Sequence, residues 1–317
     1  MSTAHHLARV SLLVSRFFSS LGYFGLFSVL ALLFLEKPYA FSTTQVAFLL
    51  GVFGFSGYGF AILWSFIPLH LSLREASIYG LGGAALALLV LAATSHFFVT
   101  LTSLVAFCIG LSLTQLTARM WVSSLPDTTE RVKMFGELYR WLNLSAGIAP
   151  IIVFALHYHT HPRSIILLAA LVYIIAAVII AACFPVDEPI STKTVAWRQM
   201  LPELQKDFTG NFSLAIGYTA LIGAIFALTQ SGLLPVYFRF HSAVPSIMGG
   251  ILAINPFMIV LFQNAASRIF FWCHKKLTWS GFALGIFSCM LGFLVFSFSS
   301  SFVAVCVFLV LITFGEM

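Results

Sequence analysis

The sequence predicts an all-α, polytopic integral membrane protein made of two pseudo-symmetric helical bundles, six helices in the first and four in the second. Three observations predict it. Of 317 residues, 60% are hydrophobic and only 8% charged, against about 45–50% and about 25% in soluble domains. Mean hydropathy is +1.02, and the apolar residues gather into runs near the roughly 20 residues a helix needs to span a bilayer. A polar stretch, 185–211, breaks the series after the sixth run, where connections of about 4–6 residues are usual.

The first run, 10–35, spans without a short apolar region followed by a cleavage site, so it reads as a retained helix rather than a signal peptide. Arg16, Ser20 and Tyr23 share one of its faces. The second and third runs are 44–70 and 74–94, the latter opening on Arg74. The fourth, 97–122, carries Ser112, Gln115 and Arg119 as a polar stripe. The fifth, 134–156, places Glu137 and Arg140 at i and i+3, close enough to pair, with Asn143 and Gly147 continuing that face. Pro150 removes a backbone donor from Ala146 and predicts a bend there. The loop before this run holds Asp127, Glu130 and Arg131; together these charges read either as a cluster that opens and closes between states or as surface ion pairs.

His157, His159 and His161 alternate before the sixth run, 163–184, and no carboxylate or Cys stands near them, so a solvated turn outweighs a metal site. In the stretch 185–211, Trp197, Met200, Leu201, Leu204 and Phe208 recur at helical spacing, with Pro202 interrupting. It reads as an interfacial amphipathic helix or as a solvated linker. The remaining runs are 212–239, 245–271, 278–298 and 301–317. The seventh carries Thr219, Gly223, Gln230 and Tyr237 on one face; the tenth carries Thr313 and Glu316. Glu316 follows an uncharged run and reads as a proton site, paired with Arg119 or Arg140 across a cavity, or as a hydrogen-bonding group between helices. Wet faces on helices in corresponding places are what a central aqueous cavity requires.

The net charge of +6 comes from basic residues scattered singly between apolar runs, with no stripe to follow phosphates, which excludes a nucleic-acid partner. With the N-terminus inside, thirteen Lys and Arg fall at cytoplasmic helix ends and three at outer ends, which fixes a cytoplasmic N-terminus in a plasma or inner membrane. Five Cys lie inside apolar runs with no CxxC pair, so they read as buried thiols and neither a disulfide framework nor a zinc site is expected. No nucleotide loop, metalloprotease helix or nucleophile elbow occurs, so no cofactor, no metal and no enzymatic activity are expected.

A weak repeat pairs Gly51 with Gly250 and Gly80 with Gly281, at offsets of 199 and 201 residues. It predicts domains at 1–184 and 212–317 joined by the linker 185–211, and a parent of about twelve helices of which this chain holds ten.

The segment 138–150 (Leu-Tyr-Arg-Trp-Leu-Asn-Leu-Ser-Ala-Gly-Ile-Ala-Pro) resembles the fifth-helix run of Arg, Asn, small residues and Pro in the multidrug and metabolite efflux branches of the major facilitator superfamily. Gln230 to Tyr237, Asn255 with Gln263, and Gly315 with Glu316 extend the resemblance over the whole chain, as helices one to ten of twelve. Three departures accompany it. The stretch 65–74 keeps only the final Arg74 of the usual loop motif, Ala106 stands where many antiporters carry an Arg, and Ala149, Val153 and Phe154 replace glycines around Pro150. They weigh against proton-coupled efflux.

The resemblance implies a secondary transporter working by alternating access on a small organic solute or drug, with protons as the candidate coupling ion. The solute cavity is expected among Arg16, Tyr23, Gln115, Asn143, Gln230, Tyr237 and Asn255, and coupling or gating at Glu316, Arg119, Glu137, Arg140 and Arg74. Arg16 and Arg119, as the firm charges of the cavity, favour an anionic or neutral solute. The alternative is a truncated remnant or membrane scaffold that transports nothing; an integral-membrane enzyme ranks last, for want of any catalytic constellation.

Overall fold

The computed structural model describes residues 3–64, 71–157, 159–185, 245–276, 280–298 and 301–316. All regular elements among them are α-helices: α1 (Thr3–Leu35), α2 (Thr43–Trp64), α3 (Leu73–Ala93), α4 (Phe97–Ser124), α5 (Thr128–His157), α6 (Pro162–Cys183), α7 (Pro245–Lys276), α8 (Ser280–Phe298) and α9 (Phe302–Glu316). The last three are the eighth, ninth and tenth helices of the sequence reading. The linker and the seventh helix lie outside the described residues.

Local chemistry starts and stops these helices. Ser42 Oγ accepts from the Gln45 N–H at 3.3 Å while Gln45 Oε1 accepts from the Ser42 N–H at 2.9 Å, a reciprocal cap that opens α2. Ser72 and Glu75 do the same for α3. Asp127 Oδ1 accepts from the Thr129 N–H at 3.0 Å and begins α5. This corrects two expectations. The fifth helix starts six residues earlier than its apolar run, because capping and not hydrophobicity sets the first turn. Glu130 and Arg131 therefore sit in that first turn and not in a loop, and Arg131 Nε donates to the Leu125 carbonyl. Likewise α1 begins well before residue 10, which carries Arg9 onto the helix.

Among the described residues, five helices are long and apolar enough to cross a membrane: 6–35, 73–93, 97–124, 128–157 and 162–183. Their outward faces carry large apolar side chains such as Leu86, Phe98 and Val178, each more than half exposed. Water would oppose such a surface, whereas hydrocarbon is its natural solvent.

The core gathers on the C-terminal turns of α1, where Val29, Leu30, Leu33 and Phe34 are essentially inaccessible. Helix α1 packs along α5 and α6, α3 along α4 and α6, and α2 along α4. Between α3 and α4 the backbones themselves meet. A Cβ on Gly80 would lie 2.8 Å from the Gly110 carbonyl oxygen, and one on Gly110 would lie 2.5 Å from that of Gly80. Small residues at both positions allow this approach, as is usual between helices in membranes. Ser77 and Thr117 add a buried hydrogen bond of 2.9 Å across the same seam. Beyond the first six helices, α7 packs along α5, and α8 and α9 pack on each other.

Candidate functional site

The expected cavity residues fall on α1, α4, α5 and α7. Arg16 is partly buried on α1, in electrostatic range of Arg119 of α4 and of the Tyr173 hydroxyl of α6. Arg119 itself is exposed. Tyr23, two turns above Arg16, stacks on Phe27 and on Phe53 of α2, with ring centroids 5.6 and 5.7 Å away. Phe53 stacks in turn on Phe107 of α4. The aromatic wall is thus held by three helices, which fixes the Tyr23 ring in place.

Gln115 is half-buried on α4, and its amide makes no hydrogen bond among the described residues. Ser112, expected on the same stripe, is consumed structurally. It is fully buried and accepts from Trp64 Nε1 of α2 at 3.0 Å, which ties α2 to α4. Asn143 of α5 is 5% exposed, and its Nδ2 donates to the Tyr139 carbonyl at 2.9 Å. That leaves its Oδ1 as the group without a hydrogen bond among the described residues. Asn255 is buried on α7. Gln230 and Tyr237 lie outside the described residues.

Helices α5 and α7 meet closely beside Asn143 and Asn255. A Cβ on Gly249 would lie 2.8 Å from the Pro150 carbonyl oxygen and 2.9 Å from the Ile151 Cα. One turn away, the Phe257 ring lies against Gly147. Helix α5 continues through Pro150 as a single element to His157.

The expected gating residues behave differently from one another. Glu137 does not take Arg140 as its partner. Arg9 Nε donates to Glu137 Oε2 at 3.1 Å, and the second guanidinium nitrogen holds Oε1. The planar fork of Arg9 offers two aligned donors, a geometry that the i+3 neighbour on the same helix does not supply. Arg140 is exposed and engaged elsewhere. Arg74 Nη2 donates to the Ala181 carbonyl in the last turn of α6, so it fastens α3 to α6. Glu316 closes α9, one turn after the buried Thr313, whose hydroxyl donates to the Leu309 carbonyl at 2.7 Å. What its carboxyl faces lies outside the described residues. His157 is the last residue of α5, and its Nε2 lies 3.4 Å from Glu36 Oε1.

Among the described residues, two surface depressions bear on the site. The larger, about 350 Å³, is an apolar groove between α1, α5 and α6 lined by Gly22, Gly25, Ala149 and Val153. It has no polar group to orient a solute, so it is not the site. The smaller, about 270 Å³, lies at the Arg9 end and is bordered by Arg9, Glu130 and Lys133.

Comparison with known proteins places the chain in a family. The family model described as Major Facilitator Superfamily matches residues 12–317. The chain belongs to the major facilitator superfamily. No curated protein sequence matches it. Among solved structures, the nucleoside transporter NupG is similar at 16% identity and TM-score 0.72, covering 97% of this chain and 78% of that one. The peptide transporter POT in complex with alafosfalin is similar at 15% identity and TM-score 0.70, covering 97% and 79%. A bacterial homologue of the human drug peptide transporters PepT1 and PepT2 follows at 12% identity and TM-score 0.68, covering 99% and 82%. At these identities the likeness is one of fold. Membership in the superfamily makes the protein an integral-membrane secondary transporter and not an enzyme.

Sequence reasoning missed three residues that shape this region: Arg9, Trp64 and Tyr173. Tyr173 carried a readable signal. It is the sole hydroxyl-bearing residue in the otherwise apolar stretch between Ser164 and Cys183.

Proposed function

We propose that this protein carries a small organic solute across the membrane by alternating access, holding it in a cavity lined by Arg16, Tyr23, Gln115, Asn143 and Asn255, with Gln230 and Tyr237 completing the lining. The observation that carries this reading is the placement of free polar groups on interior helix faces. The half-buried Gln115 amide and the Asn143 oxygen make no hydrogen bond among the described residues, which leaves both able to accept or donate to a solute. A bound solute is the partner they are suited to.

In this reading residues 1–184 form one bundle and 212–317 belong to a second, with 185–211 linking them on the cytoplasmic side, where the N-terminus also lies. The Arg9–Glu137 and Arg74–Ala181 contacts join helices of the first bundle, so they move with it as a rigid unit. Gating falls to the exposed Arg119 and Arg140 at the cytoplasmic mouth, and proton coupling to Glu316 on α9. The seam of α5 with α7 is a pivot between the bundles, because at Gly249 the two backbones meet directly and at Gly147 the surface is cut back to receive the Phe257 ring.

The test is uptake. Proteoliposomes holding the purified chain are offered radiolabelled dialanine, uridine and succinate, with and without an inward proton gradient. Saturable uptake of at least one, reduced by Gln115→Ala and by Asn143→Ala, is the expected result. Uptake of all three indistinguishable from empty vesicles contradicts the reading.

A further inference from the structure

The turn between α1 and α2 holds an acid against the end of α5, and the mount for that acid is firm. The Glu36 N–H donates to the Leu32 carbonyl at 3.2 Å, and the Glu36 carbonyl accepts from the Ala40 N–H at 2.8 Å. The Phe41 N–H closes the turn on the Phe34 carbonyl at 2.9 Å. The Tyr39 hydroxyl then fastens the turn to the Leu91 carbonyl of α3.

His157, the last residue of α5, stands against this turn. Its side chain is 13% exposed, and its Nδ1 is buried with no hydrogen-bond partner among the described residues. Its Nε2 lies 3.4 Å from Glu36 Oε1. That is beyond the roughly 2.7–3.2 Å of an N–H···O hydrogen bond, yet close enough for an ion pair. A neutral imidazole therefore gains little from Glu36. An imidazolium gains the attraction of the carboxylate, weakly screened because the ring is mostly out of water. The carboxyl end of a helix adds to that attraction, since it favours a cation.

The other charges around this end do not substitute for Glu36. Lys37 follows it in the same turn, and Arg163, in the first turn of α6, is in electrostatic range of Tyr39. Both are cations and oppose a proton on His157. His159 and His161, between α5 and α6, are exposed, as is His96 ahead of α4. Helix α7 runs antiparallel to α5, with Gly249 at Pro150 and Phe257 at Gly147. Its first two turns, residues 245–252, lead toward this end and hold no titratable side chain.

We propose that His157 and Glu36 form a pH latch, in which a proton on His157 completes an ion pair that holds the α1–α2 turn against the end of α5. Loss of the proton releases the turn. Helix α5 also carries the close seam with α7, so the latch brings the local proton concentration to bear on the helix against which α7 rests. In the topology proposed above this end faces the outer side. The latch goes beyond the transporter reading and does not depend on transport.

The experiment is a set of thermal melts of the purified full chain in uncharged detergent at pH 5.5 and pH 8.0, which bracket the charge change of imidazole. EDTA is present, so that no metal ion bridges the two side chains in place of the proton. The parent, His157→Gln, Glu36→Gln and the double variant are compared. The ion pair needs the bound proton, so its contribution is present at the lower pH and lost as pH rises. At pH 5.5 each single change should lower Tm, and the double variant should fall no further than the worse single. At pH 8.0 the effects should be small and additive. Hydrogen exchange at the Ala40 and Phe41 amides, divided by the intrinsic rate at each pH, is the second readout. In the parent it should be about threefold faster at pH 8.0 than at pH 5.5, the scale of a part-exposed ion pair. In Glu36→Gln the two rates should be equal. The Glu36 side chain is 38% exposed, so this variant decides the question alone if His157→Gln does not fold. Coupling of the same size at both pH values, or at neither, overturns the latch. So does an exchange ratio that is the same in the parent and in Glu36→Gln. Coupling confined to pH 5.5, in a protein that takes up no solute in the proteoliposome assay, would sink transport and keep the latch.

Discussion

Arg9 of α1 grips both carboxylate oxygens of Glu137 on α5. The two residues are 128 positions apart, and each side chain is about one-third exposed. Bidentate geometry makes this stronger than a typical surface pair, while solvent still screens it. A double-mutant cycle on Arg9→Gln and Glu137→Gln, read by thermal melting, should return a coupling of about 1 kcal/mol. Additive single effects would show that the contact contributes nothing.

Gly249 and Gly250 are neighbours with opposite surroundings. A Cβ on Gly249 meets the Pro150 carbonyl oxygen at 2.8 Å, whereas Gly250 has nothing within 4 Å. Gly249→Ala must therefore push α7 away from α5, at a cost of about 1–3 kcal/mol. Gly250→Ala should be neutral or slightly stabilising, since Ala is the better helix former. Melting both variants checks the contrast, and equal effects would mean the α5–α7 seam is not tight.

Tyr39, in the turn between α1 and α2, donates its hydroxyl to the Leu91 carbonyl at 2.8 Å. Burial pushes its phenol up from 10.0 to about 12. The folded form thus resists losing this proton, so the contribution to stability is complete below pH 10 and is lost as pH rises toward about 12. Tyr39→Phe should cost about 1 kcal/mol at neutral pH. It should also flatten the alkaline decline; a decline of the same steepness in the variant would remove Tyr39 as its source.

If Glu316 couples protons to transport, Glu316→Gln should abolish the dependence of uptake on a proton gradient while leaving solute affinity nearly unchanged. Neutral Gln keeps the shape and cannot exchange a proton. Uptake that still follows the gradient in the Gln variant would reduce Glu316 to a residue of helix packing.

Much of the fold was legible because membranes impose one simple rule, a run of apolar residues about 20 long for each crossing. The ends of α3, α4, α6 and α8 fall within two residues of the expected bounds. The starts of α1 and α5 were illegible because these helices begin with polar turns, which hydropathy does not register; Asp127 caps α5. The same blindness assigned Glu137 to Arg140, since spacing reveals partners along one helix but not across two. Tyr173 was missed because a single hydroxyl in an apolar run makes no periodic stripe, although its isolation between Ser164 and Cys183 marks it. Ser112 was read as cavity-lining because a stripe of polar residues does not tell which member a neighbouring Trp64 will consume.

The most direct measurement of the central claim is accessibility at Gln115. With the native Cys replaced, Gln115→Cys in oriented proteoliposomes is treated with a membrane-impermeant thiol reagent from one face and then, separately, from the other. Alternating access predicts labelling from both faces, slowed on both by a transported solute, with no leak of the reagent through the protein. Labelling from one face only, or from neither, in a preparation that still takes up solute would contradict the placement of the pathway at this position.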